Sequence, residues 1–264
     1  MEAKNSDEIK KAVRELYADI ARQHECSCCA PPSEVDSVCC SSCASETSRA
    51  QTFYSTEELE SIAADIPSLG CGNPIALAEL REKEVVIDLG SGGGLDCFLA
   101  AQRVGPQGKV IGLDMTPDMI HLARTNADKL SVNNVEFRLG EMEHMPVESN
   151  SADVVISNCV INLSPDKDAV FGEVFRVLKP GGRLCVSDIV THGELPTSVR
   201  DSLVQWAGCV AGALKEEDYL EKIRQAGFVH LEKQEAKVDP YKEEAARNLG
   251  APIASIAVKA FKPE

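Results

Sequence analysis

Two groups of residues in this chain have the types and spacing to do chemistry. The first is its thiols. The 264 residues include eleven cysteines. Six crowd into one stretch, Cys26, Cys28, Cys29, Cys39, Cys40 and Cys43, and five are scattered, Cys71, Cys97, Cys159, Cys185 and Cys209. An odd number of cysteines behind an N-terminus that is polar and acidic, with no apolar leader, is a poor disulfide framework. Thiolates are soft ligands, so the chemistry open to them is capture of a soft centre, Zn²⁺ and Cu(I) included, or thiol–disulfide exchange. A lone cysteine in an apolar segment is more often a small core residue. Cys97 and Cys185 fall inside an expected helix and strand and take that reading. Cys71 lies in a Gly/Pro-punctuated loop, and Cys159 lies just past the end of a strand, where ligands bind in open α/β sheets. Cys209, beside Gly208, could occupy one face of a helix.

The second group is a glycine-rich turn. Asp88-Leu89-Gly90-Ser91-Gly92-Gly93-Gly94 follows an apolar run and precedes an amphipathic segment. Glycines there let backbone N–H groups approach a ligand at the start of a helix. Asp114 stands at the end of the next apolar run, about 20 residues on, where a carboxylate can accept from both hydroxyls of a ribose. The turn lacks the third glycine of the dinucleotide fingerprint, because Leu95 stands in its place. Asp88, two residues before Gly90, would repel a pyrophosphate but tolerate a cationic amino-acid group. These features favour S-adenosylmethionine over a nicotinamide dinucleotide.

The elements that must position these groups are legible as periodicity. Apolar runs at 84–89, 109–114, 134–139, 153–157, 183–189, 228–238 and 255–261 predict seven strands. Helical patterns at 94–104, 116–130, 167–178, 196–214 and 216–226 lie between them. Lys179-Pro180-Gly181-Gly182 reads as the stop of one helix, and Thr116-Pro117 as the start of another. Ser6 opens a first helix with Ile9, Val13, Leu16 and Ile20 on one face. Residues 24–51, rich in Cys, Ser and Pro, read as a long loop. Ser55 and Glu58 form a capping-box pattern. The expected fold class is α/β: a seven-stranded, mostly parallel Rossmann-like sheet with helices on both faces, preceded by an N-terminal helix and Cys-rich loop and followed by a C-terminal helical and strand extension. The expected organisation is 1–66 for the N-terminal helix and Cys-rich segment, 67–190 for the cofactor-binding part, and 191–264 for further helices and the closing strands.

Composition narrows the partners. With 27 Lys+Arg against 42 Asp+Glu the net charge is −15. That disfavours nucleic acid and anionic membrane surfaces, both of which are bound through Lys and Arg. No run approaches the ~18 apolar residues of a membrane helix. The expected location is cytoplasmic.

The motifs together resemble a class I methyltransferase: the Asp88–Gly94 turn, Gly112-Leu113-Asp114-Met115, Gly140-Glu141-Met142-Glu143, Ser157-Asn158-Cys159-Val160-Ile161-Asn162-Leu163 and Leu178-Lys179-Pro180-Gly181-Gly182. With Leu69-Gly70-Cys71-Gly72-Asn73-Pro74 and Trp206-Ala207-Gly208-Cys209, the chain resembles one family within that class, the arsenite S-adenosylmethionine methyltransferases, from about Val13 to Lys262. The resemblance implies that Asp88, Gly90, Ser91 and Gly92 surround the methionine moiety, with Asn158 facing it. It places Asp114 on the ribose, flanked by Met115, and Met142 and Glu143 near adenine. It implies Cys71, Cys159 and Cys209 as ligands of As(III), and a fourth catalytic cysteine in the N-terminal cluster. Ser27-Cys28-Cys29 is the nearest match for the last, which selects Cys28, with Cys29 beside it. Implied partners are arsenite or methylated trivalent arsenicals, and a thiol reductant of the thioredoxin or glutathione kind. Two other functions are compatible with the residues: a methyltransferase-like protein that binds thiophilic metals, and a small-molecule methyltransferase with an organic acceptor.

Overall fold

The computed structural model describes residues 6–25, 50–62, 66–235 and 253–264. The chain opens with α1 (Ser6–Glu25), then three short helices, α2 (Ala50–Phe53), α3 (Thr56–Ile62) and α4 (Pro74–Ala78). The alternating part runs β1 (Val85–Leu89), α5 (Leu95–Val104), β2 (Lys109–Asp114), α6 (Pro117–Leu130), β3 (Val135–Leu139), β4 (Ala152–Asn158), α7 (Lys167–Val177) and β5 (Leu178–Thr191). It ends with α8 (Thr197–Arg200), α9 (Leu203–Ala207), α10 (Glu216–Gln225), β6 (Val229–Glu235) and β7 (Ile253–Phe261). The seven strands form one sheet in the order β3-β2-β1-β4-β5-β7-β6. The first five are parallel, and β7 inserts antiparallel between β5 and β6. This is the expected class. The order reverses beside β1, between β1 and β4, and a ligand crevice opens there above the strand ends.

Both faces of the sheet are covered, which is why its strands read as near-continuous apolar runs. Alternate residues serve opposite cores. Ile87, Val155, Leu184 and Val186 pack with Phe171 of α7 and Tyr219 of α10 on one side. Val86, Val154, Ile156 and Cys185 pack with Phe98 and Leu99 of α5 on the other. Cys97 and Cys185 are fully buried in that second core, as expected. Gly112 of β2 is required by close packing: a Cβ there would lie 2.6 Å from the Phe137 ring and 2.8 Å from the Cys97 sulfur.

Three expectations need correction. The helical pattern at 196–214 is two short helices, with Cys209 in the turn beyond α9 rather than on a helix. The helix ends where Cys209, two residues past Ala207, turns left-handed at φ 65°, and Gly212 then packs onto the 161–163 turn, where a Cβ would sit 2.0 Å from the Asn162 carbonyl oxygen. The Trp206 indole also donates to the Leu163 carbonyl at 3.0 Å, fixing the turn in place. β5 is longer than 183–189: it begins at Leu178 and takes in the Lys-Pro-Gly-Gly stop. Finally, Leu16 is 41% exposed, and the docked face of α1 is built from Ile9, Val13, Ala18 and Ala21. The capping box is as read, with Ser55 N–H donating to the Glu58 carboxylate at 3.0 Å and Glu58 N–H to the Ser55 hydroxyl at 3.2 Å. β6 and β7 close the same sheet that β5 belongs to, so the segment after 190 shares its core with the segment before it.

Candidate active site

An open cleft of about 1060 Å³ lies over the carboxyl ends of β1, β2 and β4. Its wall includes all nine residues implied as cofactor contacts: Asp88, Gly90, Ser91, Gly92, Asp114, Met115, Met142, Glu143 and Asn158. The glycine turn leaves β1 with Gly90, Gly92 and Gly94 at positive φ. A Cβ on Gly90 would lie 2.2 Å from the Val160 side chain, so the turn needs glycine both for its conformation and for its packing. Asp114 shapes the turn from the next strand. Its carboxylate accepts the Gly92 N–H at 3.0 Å and the Thr116 N–H at 2.8 Å.

The electrostatics of the cleft select a cation. Asp88 is almost completely buried, and burial followed by repulsion from Asp96 pushes its carboxyl well above the usual range. Burial pushes Asp96 up to about 6, against hydrogen bonds from Tyr54 and Asn158 that pull it down. Asp114 is raised by burial and eased by its backbone donors. Three desolvated carboxylates around one cleft are relieved by a positively charged occupant. The buried Ser91 hydroxyl has no hydrogen-bond partner among the described residues, which leaves a polar group for a ligand. The cradle therefore fits an amino-acid sulfonium carrying a ribose, and not a pyrophosphate.

The cleft is roofed by α1, which sequence reasoning found as a helix but could not dock. Lys10, Val13, Tyr17 and Ile20 line the cleft. Lys10 pairs with Glu141 at 2.6 Å and Glu143 at 3.1 Å, and Arg14 also pairs with Glu141. Glu143 further accepts the Ser164 hydroxyl at 2.7 Å.

One wall of the cleft is Cys159, the residue after β4. Beyond it lies a thiol cluster. Cys71, Cys159 and Cys209 share one small apolar core with Ile9, Val13, Leu163 and Ile189. The sulfurs of Cys71 and Cys159 and a carboxylate oxygen of Asp188 all lie within 4.8 Å of one another. Cys209 is adjacent, with its thiol donating to the Cys159 carbonyl at 2.8 Å, outside that tight group. Cys159 and Cys209 both hold positive φ, 62° and 65°, which a non-glycine residue adopts only at a cost. Cys28 lies outside the described residues.

Sequence reading missed Asp188, Asp96 and Tyr54. Asp188 is fully buried near the end of β5. It accepts the Asn162 amide at 2.8 Å, the Ile189 N–H at 2.9 Å and the Tyr219 hydroxyl at 3.2 Å. Its signal was an acid near the end of a central strand, the same signal that identified Asp114. Asp96 sits in the first turn of α5, two residues past the glycines. Tyr54 had no local signal.

Comparison with known proteins agrees with this architecture. A family model described as a methyltransferase domain matches residues 80–227. An arsenite methyltransferase of Halobacterium salinarum is 44% identical over 98% of this chain and 68% of that protein. The arsenite methyltransferase of Mus musculus is 34% identical over 86% of this chain and 59% of its own length. The chain thus spans between half and about two thirds of these relatives. The crystal structure of an arsenic(III) S-adenosylmethionine methyltransferase from Chlamydomonas reinhardtii superposes with a TM-score of 0.65 at 38% identity, covering 78% of this chain and 73% of that one. A cleft built for a cationic adenosine cofactor, a thiol cluster behind its wall and these relationships lead to one assignment: the chain belongs to the arsenite methyltransferase family of class I, S-adenosylmethionine-dependent methyltransferases.

Proposed function

We propose that this protein methylates trivalent arsenic held by its own thiolates. One observation carries the reading. Cys159 borders the cofactor cleft while its sulfur lies within 4.8 Å of the Cys71 sulfur, so the two sites share a wall. Cys71, Cys159 and Cys209 are the proposed arsenic ligands. Each thiol replaces one hydroxide of arsenite, and thiol proton and hydroxide leave as water. Cys209 completes the set by turning its sulfur away from the Cys159 carbonyl. Three soft thiolates leave arsenic pyramidal with its lone pair at the apex.

S-adenosylmethionine, when bound, supplies an electrophilic methyl group on a sulfonium. Asp88 and Ser91 would receive its amino-acid end, Asp114 its ribose, and Met142 and Glu143 would stand near its base. The lone pair is the nucleophile, so the chain supplies no general base. Its contribution is placement, and positioning can supply roughly 7–11 kcal/mol at its upper limit. Lys10, Val13 and Tyr17 on α1 line the roof of the cleft over the bound cofactor.

Transfer leaves arsenic formally pentavalent. Two thiols of the chain, Cys28 being the proposed partner from the N-terminal cluster, close to a disulfide and return two electrons to arsenic. An external thiol reductant, of the thioredoxin or glutathione kind, then reopens that disulfide. The test is formation of methylated arsenic from arsenite, S-adenosylmethionine and a dithiol. Absence of product with a protein that binds both ligands refutes the reading.

A further inference from the structure

Beside the wall they share at Cys159, the cofactor cleft and the thiol cluster are linked by a hydrogen-bond network centred on Asn158, at the end of β4. Its Oδ1 accepts the backbone N–H of Cys71 at 2.8 Å and of Gly72 at 3.2 Å. Its Nδ2 has two protons for three acceptors, the Gly72 carbonyl at 2.9 Å, the Tyr54 hydroxyl at 2.9 Å and the Asp96 carboxylate at 3.2 Å, so one proton is shared. The Tyr54 hydroxyl in turn donates to the other oxygen of Asp96 at 2.5 Å. The ring of contacts thus draws on the turn after α2, the first turn of α5, the end of β4 and the loop before α4. The fit is close: a Cβ on Gly70 would lie 2.3 Å from Asn158 Nδ2.

The chemistry of the amide makes this arrangement directional. Two backbone donors require the oxygen of Asn158 to face Cys71 and Gly72. A flipped amide would set its NH₂ against those N–H groups and leave them unsatisfied. Tyr54 and Asp96 offer acceptors only to the nitrogen, so they hold the amide in the orientation that the Cys71 loop needs. Neither reaches the thiol itself.

We propose that Tyr54 and Asp96 are positioning residues that act through Asn158 to hold the Cys71 loop in register for arsenic capture. The proposal rests on the reading of Cys71 as an arsenic ligand. Tyr54→Phe removes one hydroxyl that both accepts from Asn158 and donates to Asp96, with the ring retained. Asp96→Asn leaves one acceptor where two donors converge, and sets an NH₂ against a neighbouring donor.

The experiment compares wild type, Tyr54→Phe and Asp96→Asn in three measurements. These are arsenite affinity from the fluorescence of Trp206, the only tryptophan, which packs against the thiol cluster, S-adenosylmethionine affinity by calorimetry, and the alkylation rates of Cys71 and Cys159 by mass spectrometry. Tyr54→Phe is expected to weaken arsenite binding about tenfold, the size of a lost hydrogen bond to a charged network. Cofactor affinity should stay at the wild-type value, and alkylation should accelerate at Cys71 but not at Cys159. Asp96→Asn should also weaken arsenite binding, and because Asp96 lines the cofactor cleft it should weaken cofactor binding too, so the separation of the two sites is read on Tyr54→Phe. Wild-type arsenite affinity and wild-type Cys71 alkylation in Tyr54→Phe overturn the proposal. So does a parallel loss of both ligands in Tyr54→Phe with a lowered melting temperature, which marks a general structural role. If wild type itself fails to bind arsenite, the ligand assignment of Cys71 falls, and the alkylation comparison still decides whether Tyr54 holds the loop.

Discussion

Five described cysteines divide into two regions that burial does not separate. Cys97 and Cys185 are buried in the core beneath the sheet, and Cys71, Cys159 and Cys209 are buried at its carboxyl edge, none more than 5% exposed. The surroundings differ. Burial raises the Cys185 thiol to about 12, and burial with the neighbouring Asp88 raises Cys97 well above the ordinary value. Each sits on regular backbone, within β5 and α5. The edge cysteines stand in a loop and two turns, two of them at positive φ, with a buried carboxylate beside two of the sulfurs. The first region uses the thiol as a small apolar group. The second places it at the strand ends, where chain direction changes and side chains from distant segments meet. Position relative to the sheet, more than burial, separates the thiols proposed for chemistry from those of the core.

The comparison breaks most decisively by exchange of sulfur for oxygen. Cys159→Ser or Cys209→Ser removes a soft ligand with little change in volume. Arsenite affinity should fall by more than about a hundredfold, the upper end for losing a mere outer-shell partner, with S-adenosylmethionine affinity retained. Cys185→Ser is the control. It places a hydroxyl in an apolar core and should lower stability by roughly 1–3 kcal/mol without selective loss of arsenite binding. Titrations of both ligands with all three proteins check this, and wild-type arsenite binding by the edge variants would abolish the distinction.

A second test asks whether the cleft is separable from the thiols. Asp114→Ala removes a carboxylate that braces the glycine turn and is assigned to the ribose. Hydrogen bonds to a charged group contribute ~1.5–3 kcal/mol each, so cofactor affinity should drop by about ten- to a hundredfold while arsenite still binds. Calorimetry with each ligand shows which wall was altered.

The third test extends the comparison to the Cys-rich segment. Deleting residues 24–46 should keep methylation of monomethylarsenite and impair that of inorganic arsenite by several-fold. Equal loss on both substrates would remove the proposed relay role of Cys28.

The effect least tied to either group of thiols is a pH dependence of stability. Asp96 is held at about 6 against an ordinary 3.8, so between those values the folded protein binds the proton that the unfolded chain has lost. Stability from this group therefore falls as pH rises from about 4 to 6, by about 3 kcal/mol in total. Asp88 and Asp114 push the same way. Urea unfolding across that range should show a shallower decline in Asp96→Asn than in wild type.

The sequence by itself determined the local pieces. Strand periodicity, the glycine turn with Asp114 beyond the next strand, and the Ser55–Glu58 cap all depend on residues close together in the chain, and they stand where the spacing places them. Cys97 and Cys185 were legible as core for the same reason. Only the tertiary structure decided which distant groups meet. The helical pattern around Cys209 gives way to turns that pack, through Trp206 and Gly212, against a turn some forty to fifty residues earlier, a contact that no local propensity encodes. The docking of α1 over the cleft is set by burial of Ile9, Val13 and Ala21 against residues far along the chain, with ion pairs to Glu141 and Glu143 at its margin. Asp188 joins Cys71 and Cys159 only because β5 lies next to β4. Tyr54 meets Asp96 and Asn158, 42 and 104 residues further along the chain. Periodicity constrains neighbours in the chain, whereas a site assembled above a sheet depends on strand order, and strand order is a property of the whole fold.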